Sequence, residues 1–163
     1  MANKFKSKEI KLIIGLGNPG DKYKNTYHNV GIEFVKLLKK RMIPPYTKNI
    51  YESQCFMNQS GLCAKKELQK HNISREELLI VHDDSDITIG EYKFSFEKGS
   101  AGHRGIKSII ENIGGKDFWR LRIGIRAKDE KTKAGSFVLK QINKDDQLTL
   151  QEVFEELISI TSE

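Results

Sequence analysis

The chain has 163 residues, 37% of them hydrophobic, enough to bury one proper core and too few for two, so a single domain over residues 1–163 is expected, with residues 1–9 as a flexible lead. Lys and Arg number 28 against 22 Asp and Glu, a formal charge of +6, which favours an anionic partner. Met1 to Glu9 is charged and polar, and no run nears the roughly 18 apolar residues of a membrane span, which excludes a signal-peptide or membrane reading and gives a cytoplasmic expectation.

Ile10 to Leu16 is a short apolar run ending in glycines, the pattern of a strand covered on both faces. From Asn29 to Met42, Val30, Phe34, Leu37, Leu38 and Met42 recur at helical spacing, opposed by Lys36, Lys39, Lys40 and Arg41. Pro44-Pro45 is expected to stop that helix, leaving Tyr46 to Ser53 as a connection or an edge strand. A weaker helix begins at Ser60-Gly61, runs through Leu68 and ends around His71-Asn72; Leu78 to Val81 is a buried-type strand running into His82-Asp83-Asp84. Glu91 to Phe96 alternates Tyr92, Phe94 and Phe96 against Lys93 and Ser95, a strand with one covered face and a basic residue on the other. The Gly99 to Gly105 loop leads to a helix over Ile106 to Ile113, Phe118 to Ile125 reads as a strand, and Asp145 to Ile160 spaces Leu148, Val153, Phe154 and Leu157 as a closing helix. The expected fold class is therefore α/β, a single-domain three-layer sandwich with a mixed, mainly parallel sheet and helices on both faces. Cys55 and Cys63 lack the partners of a zinc set and are expected to be ordinary thiols.

Gly15, Gly17 and Gly20 form G-x-G-x-x-G after a strand. A dinucleotide site needs a helix opening at the third glycine so that its amides face the pyrophosphate. Pro19 has no N–H, Asp21 to Tyr27 lacks helical pattern, and no second strand ends in an acid at the usual distance, so that reading fails and no cofactor is expected. What the segment offers instead is a cluster of polar side chains in a loop at a strand's C-terminal end, among them Asn18, Tyr23, His28 and Asn29. A parallel sheet brings His28 and Asp83 to the same rim. A carboxylate on one imidazole nitrogen fixes the tautomer and makes the other a better base, so the pair can deprotonate water.

Gly15-Leu16-Gly17-Asn18-Pro19-Gly20, Tyr23 and Thr26-Tyr27-His28-Asn29-Val30-Gly31 resemble the opening signature of the bacterial-type peptidyl-tRNA hydrolases. Phe56 to Gly61, His82 to Asp86 with Gly90, Gly102 to Ile110 and the strand Phe118 to Ile125 agree in order, so the resemblance spans about residues 11 to 140. It implies hydrolysis of the ester between a peptide, or N-blocked amino acid, and the 3′ end of tRNA. His28 would be the base, Asp83 its hydrogen-bonded acid, and Asn18 and Asn58 the amides holding the peptide carbonyl and the attacking water. Met57 would shape the pocket wall, Tyr23 would lie near the terminal nucleotide, and Lys93 and Arg122 would receive phosphate charge. The partner implied is peptidyl-tRNA, handled by a monomer without metal, membrane or obligate protein partner. Arg104 stands where the family usually has Asn, and an outward pose gripping a phosphate is expected for it; Tyr27, Gln59, Ser85 and Ser95 are further departures. These leave a second possibility, a relative that binds tRNA or RNA without turning it over.

Overall fold

The computed structural model describes residues 4–42, 48–131 and 133–162. A five-stranded sheet runs β2-β1-β3-β5-β4, formed by β1 (Leu12–Gly15), β2 (Asn49–Glu52), β3 (Leu78–Thr88), β4 (Tyr92–Phe96) and β5 (Trp119–Arg126). β1, β2, β3 and β5 are parallel and β4 pairs antiparallel with β5. The mixed, mainly parallel sheet with helices on both faces is thus as the sequence pattern implies.

Helices α1 (Val30–Arg41) and α5 (Lys144–Thr161) cover one face, with Phe34, Val35, Leu150, Val153 and Leu157 packed on Val81, Leu121 and Ile123. Helices α2 (Ser60–His71) and α3 (Arg104–Ile113) cover the other, with Ala64, Leu68, Ile106 and Ile109 on Ile14, Ile80 and Phe118. The β-strand alternation divides the core this way, since neighbouring residues of one strand face opposite layers. α1 descends close to the sheet because of two glycines. A Cβ on Gly15 would lie 2.3 Å from the Gly31 carbonyl, and one on Gly31 would lie 2.3 Å from that of Val81. Gly15, the first glycine of the signature, therefore serves close backbone contact between β1 and α1.

Several expectations need correction. Leu148 is exposed and Leu150 takes the buried position; two residues along a helix is a turn of about 200°, so only one of them can face the sheet. Cys55 and Cys63 are not separate thiols but form a disulfide, with Cα atoms 6.2 Å apart. The chain turns from the loop after β2 through a 3-10 turn at Met57–Gln59 into α2, which returns residue 63 to the side of residue 55. α3 opens two residues earlier than its apolar spacing implies, capped by His103. The lead expected to be flexible is docked from Phe5 onward: Phe5 stacks on Phe94 at 4.1 Å and Ser7 is buried. The edge-strand alternative for residues 46–53 is met by β2 at one sheet edge, whereas the helix stop at Pro44-Pro45 lies outside the described residues. A short α4 (Ala134–Phe137) has no counterpart in the sequence reading.

Candidate active site at the ends of β1 and β3

The chain leaves β1 toward β2 on one side and crosses back to β3 on the other, so the crevice between the C-terminal ends of β1 and β3 is where the strand order reverses. Such switch points are where open α/β sheets bind ligands. The segment from Leu16 to Asn29 spans that end. Leu16 N–H bonds to the Val81 carbonyl at 2.9 Å, and buried Asn29 clasps residue 18 both ways: its Oδ1 accepts from Asn18 N–H at 2.8 Å and its Nδ2 donates to the Asn18 carbonyl at 2.9 Å. On the far side, Tyr27 N–H bonds to the Lys140 carbonyl and His28 N–H to that of Val138 at 2.7 Å. His28 is thereby held between two backbone anchors.

Nδ1 of His28 lies 2.9 and 3.0 Å from the two carboxylate oxygens of Asp83. Asp83 is buried and accepts a second bond, 2.9 Å, from Nε2 of His103. The partners fix the protons. Nδ1 of His103 accepts the Ile106 amide as the cap of α3, so its Nε2 carries the hydrogen; Nδ1 of His28 faces an acceptor, so its hydrogen is there and Nε2 is the basic nitrogen. Behind them, buried His82 donates from Nδ1 to the Asp83 carbonyl at 2.7 Å and accepts Arg120 Nε–H at Nε2, 3.0 Å.

The electrostatics follow. Burial pulls the His28 pKa down, but the charge and hydrogen bond of Asp83 outweigh it, and the Arg104 charge subtracts a little; the result lies above the ordinary value of 6.5. Burial opposes ionisation of Asp83, yet the two imidazoles hold its carboxyl well below the usual range. His82 is driven well below 6.5, first by burial and then by the neighbouring His103 and Arg120, so it stays neutral.

Asn18 and the 56–59 turn close the site. Asn18 Oδ1 accepts Met57 N–H at 2.8 Å, and Ser60 Oγ donates to the Met57 carbonyl at 2.7 Å. With the oxygen of its amide used in this way, Asn18 offers its NH2 end. His28, Asp83, Asn18, Asn58, Met57 and Arg104 share one cavity of about 780 Å³. Met57 is buried in its wall, and Phe56 and Leu139, 49% and 53% exposed, supply apolar surface to its lining.

The remaining sequence-predicted residues divide. Tyr23 does not line the cavity but meets Phe56 edge-on at 6.3 Å. Lys93 is exposed on β4, away from the cavity. Arg122, expected to receive phosphate charge, is engaged within the sheet: its Nε donates to Asp84 at 2.7 Å and its Nη1 to Ser95 Oγ at 3.2 Å. Ser95 Oγ thus serves Arg122 as an acceptor. Arg104 is exposed and borders both the main cavity and a neighbouring groove with Asn58 and Lys107, yet is near enough for His28 to feel its charge.

Sequence reasoning missed His103, although a histidine before a helix at the same sheet rim was a usable signal. It also missed the backbone of Val138 and Lys140, whose bonds depend on no side-chain type. His28 Nδ1, an Asp83 oxygen and His103 Nε2 lie within 4.8 Å of one another and are of metal-ligand type. A metal would have to displace the hydrogens both imidazoles direct at the carboxylate and break the α3 cap, so the donor set suits a hydrogen-bond network better. Among the described residues no helix is long and apolar enough to cross a membrane.

The family model described as "Peptidyl-tRNA hydrolase" matches residues 12–163. A peptidyl-tRNA hydrolase of Sulfurihydrogenibium sp. (strain YO3AOP1) is 38% identical over 160 residues, 88% of this chain and 85% of the relative. One from Mycoplasma capricolum subsp. capricolum is 36% identical over 162 residues, 89% and 87% of the two chains. The crystal structure of peptidyl-tRNA hydrolase from Acinetobacter baumannii superposes with a TM-score of 0.86 at 28% identity, covering 98% of this chain and 91% of that one.

Proposed function

The chain belongs to the peptidyl-tRNA hydrolase family, and we propose that it hydrolyses the ester between a peptide and the 3′ end of tRNA with His28 as general base. The observation that carries the role of His28 is its Nδ1 bond to buried Asp83, 2.9 Å, with the ring at the cavity wall. Nε2 takes a proton from water as the water attacks the ester carbonyl. The imidazolium is stabilised by Asp83, whose charge is in turn held by the His103 N–H. The oxyanion of the tetrahedral intermediate accepts from amide N–H groups of Asn18 and Asn58. As the intermediate collapses, the C–O bond to the ribose breaks and His28 returns the proton to the leaving 3′ oxygen, giving free peptide acid and free tRNA. No nucleophilic side chain is needed, because an ester is already activated relative to an amide and one oriented water suffices.

Phe56 and Leu139 give the peptide part an apolar surface, and Tyr23, behind Phe56, borders the terminal nucleotide. Arg104, exposed beside the cavity, takes a phosphate of the acceptor end, and Lys93 adds a more distant phosphate contact. The enzyme works as a monomer in the cytoplasm, with no cofactor in its chemistry. Incubation of the purified protein with N-acetylaminoacyl-tRNA tests the reading: release of the N-acetylamino acid with intact tRNA is expected, and stable substrate at micromolar enzyme would refute it.

A further inference from the structure

The Cys55–Cys63 disulfide is a feature the proposed chemistry does not use, and its position is specific. Cys55 immediately precedes Phe56, Met57 and Asn58, which border the cavity, and Cys63 sits in the first turns of α2. The crosslink therefore closes a ring around the turn that presents Asn58 and the Phe56 wall. Met57, at the centre of this turn, is held by burial in the core, by its N–H to Asn18 and by its carbonyl to Ser60 Oγ, whereas Phe56 and Asn58 on either side are exposed, with Gln59 N–H bonded to the Phe56 carbonyl at 2.8 Å and Phe56 meeting Tyr23 edge-on. The rest of α2 is anchored independently, through Gly61 N–H on Ser108 Oγ at 3.0 Å and through its apolar face. Reduction would thus loosen the turn without releasing the helix. Cys55 is half-exposed whereas Cys63 is buried, so Cys55 is the side from which a reductant approaches the bond.

Resting on the hydrolase reading, we propose that this disulfide is a redox latch on the substrate turn: closed, it holds Phe56 to Asn58 in the substrate-ready position, and opened by a dithiol, it weakens substrate hold. The exchange balances. A thiolate of the reductant attacks the Cys55 sulfur and Cys63 leaves as thiolate; the reductant's second thiol then displaces Cys55, so the protein gains two protons and two electrons while the reductant becomes a disulfide. Peroxide reverses it, accepting those two electrons and leaving as water. Phe56 and Asn58 both lie on the loosened turn, so substrate hold weakens through Phe56 and oxyanion stabilisation through Asn58, raising KM and lowering kcat, while His28, Asp83 and His103 lie on other elements.

The test uses the full chain in two states, one treated with hydrogen peroxide and desalted, the other with dithiothreitol, with thiols counted by alkylation and mass spectrometry. The oxidised protein should show no alkylatable thiol and the reduced protein two. Reduction should raise KM for N-acetylaminoacyl-tRNA several-fold and lower kcat, and the C55S/C63S variant should match the reduced enzyme under both treatments. Equal KM in both states, or two reactive thiols after peroxide, would overturn the latch. Hydrogen exchange at the Met57 amide separates this from the hydrolase reading: protection that drops on reduction supports the latch even if no substrate is cleaved, and unchanged protection overturns it.

Discussion

The rings of His28 and His103 stand 5.2 Å apart, and each directs one N–H at the carboxylate of Asp83. Asp83 is thus a hub between two helix entries, the one before α1 and the one before α3. Its charge is shared, and its orientation is set from two sides.

His103 has two separable duties, and His103→Asn separates them. Asn is a good N-cap, so α3 keeps its start and thermal stability should change little. The second bond to Asp83 is lost, so kcat should fall while KM moves less. A variant that unfolds, or one with wild-type kcat, would contradict this division.

Asp83→Asn removes the group that lifts His28 above 6.5, leaving burial and the Arg104 charge, both of which lower it. Since only the neutral imidazole accepts a proton, the acid limb of the kcat/KM profile marks the His28 pKa. That limb should move to lower pH in the variant, while the maximum rate drops because the ring is less oriented. A limb that moves upward would show that Asp83 does not govern His28.

For Arg104→Asn the sign reverses. The arginine charge holds the His28 pKa down, so its removal should shift the acid limb to higher pH. Plateau kcat should stay within several-fold or rise, while tRNA affinity weakens and the salt slope falls by about one contact. Collapse of kcat at unchanged affinity would mean that Arg104 takes part in the chemistry.

Lys93 and Arg122, which share a face of neighbouring strands, should now behave differently. Lys93→Ala is expected to flatten the salt dependence of tRNA binding slightly without destabilising the fold. Arg122→Ala removes the ion partner of the buried Asp84 carboxylate, leaving it the Asp86 N–H alone among these bonds, so its signature should be a loss of stability of about 1–3 kcal/mol. Equilibrium unfolding in urea distinguishes the two, and an Arg122 variant as stable as wild type would contradict the pairing.

Tyr27 ties the base-bearing turn to α5: its hydroxyl donates to Asp146 at 2.6 Å and accepts from Asn143 at 3.3 Å. Burial and the Asp146 carboxylate push its pKa to about 12, so the bond persists through neutral and alkaline pH. Tyr27→Phe should cost about 1–2 kcal/mol and lower Tm by a few degrees, measured by calorimetry at neutral pH. An unchanged Tm would show the clasp to be without weight.

The legibility of this site follows its physics. The strands and the paired His28 and Asp83 could be read because apolar runs and strand-end polar residues leave a local pattern. The grip of Val138 on His28 could not, since a backbone carbonyl has no sequence signature. The fate of Arg122 was hidden because it depends on which acid the neighbouring strand places beside it, and Asp84 is 38 residues away. The Cys55–Cys63 pair was hidden because a separation of eight residues says nothing until the turn into α2 is known. Leu148 was misread because helical spacing alone accepts it, and only the position of the sheet selects Leu150.

Single-turnover hydrolysis of N-acetylaminoacyl-tRNA by His28→Ala, with tRNA affinity measured in parallel, tests the central claim most directly. Loss of the base should lower the rate by roughly 10²–10⁴-fold and leave affinity within a few-fold, because the imidazole acts on the transition state more than on the bound substrate. A rate near wild type at unchanged affinity would contradict the assignment of His28 as the base.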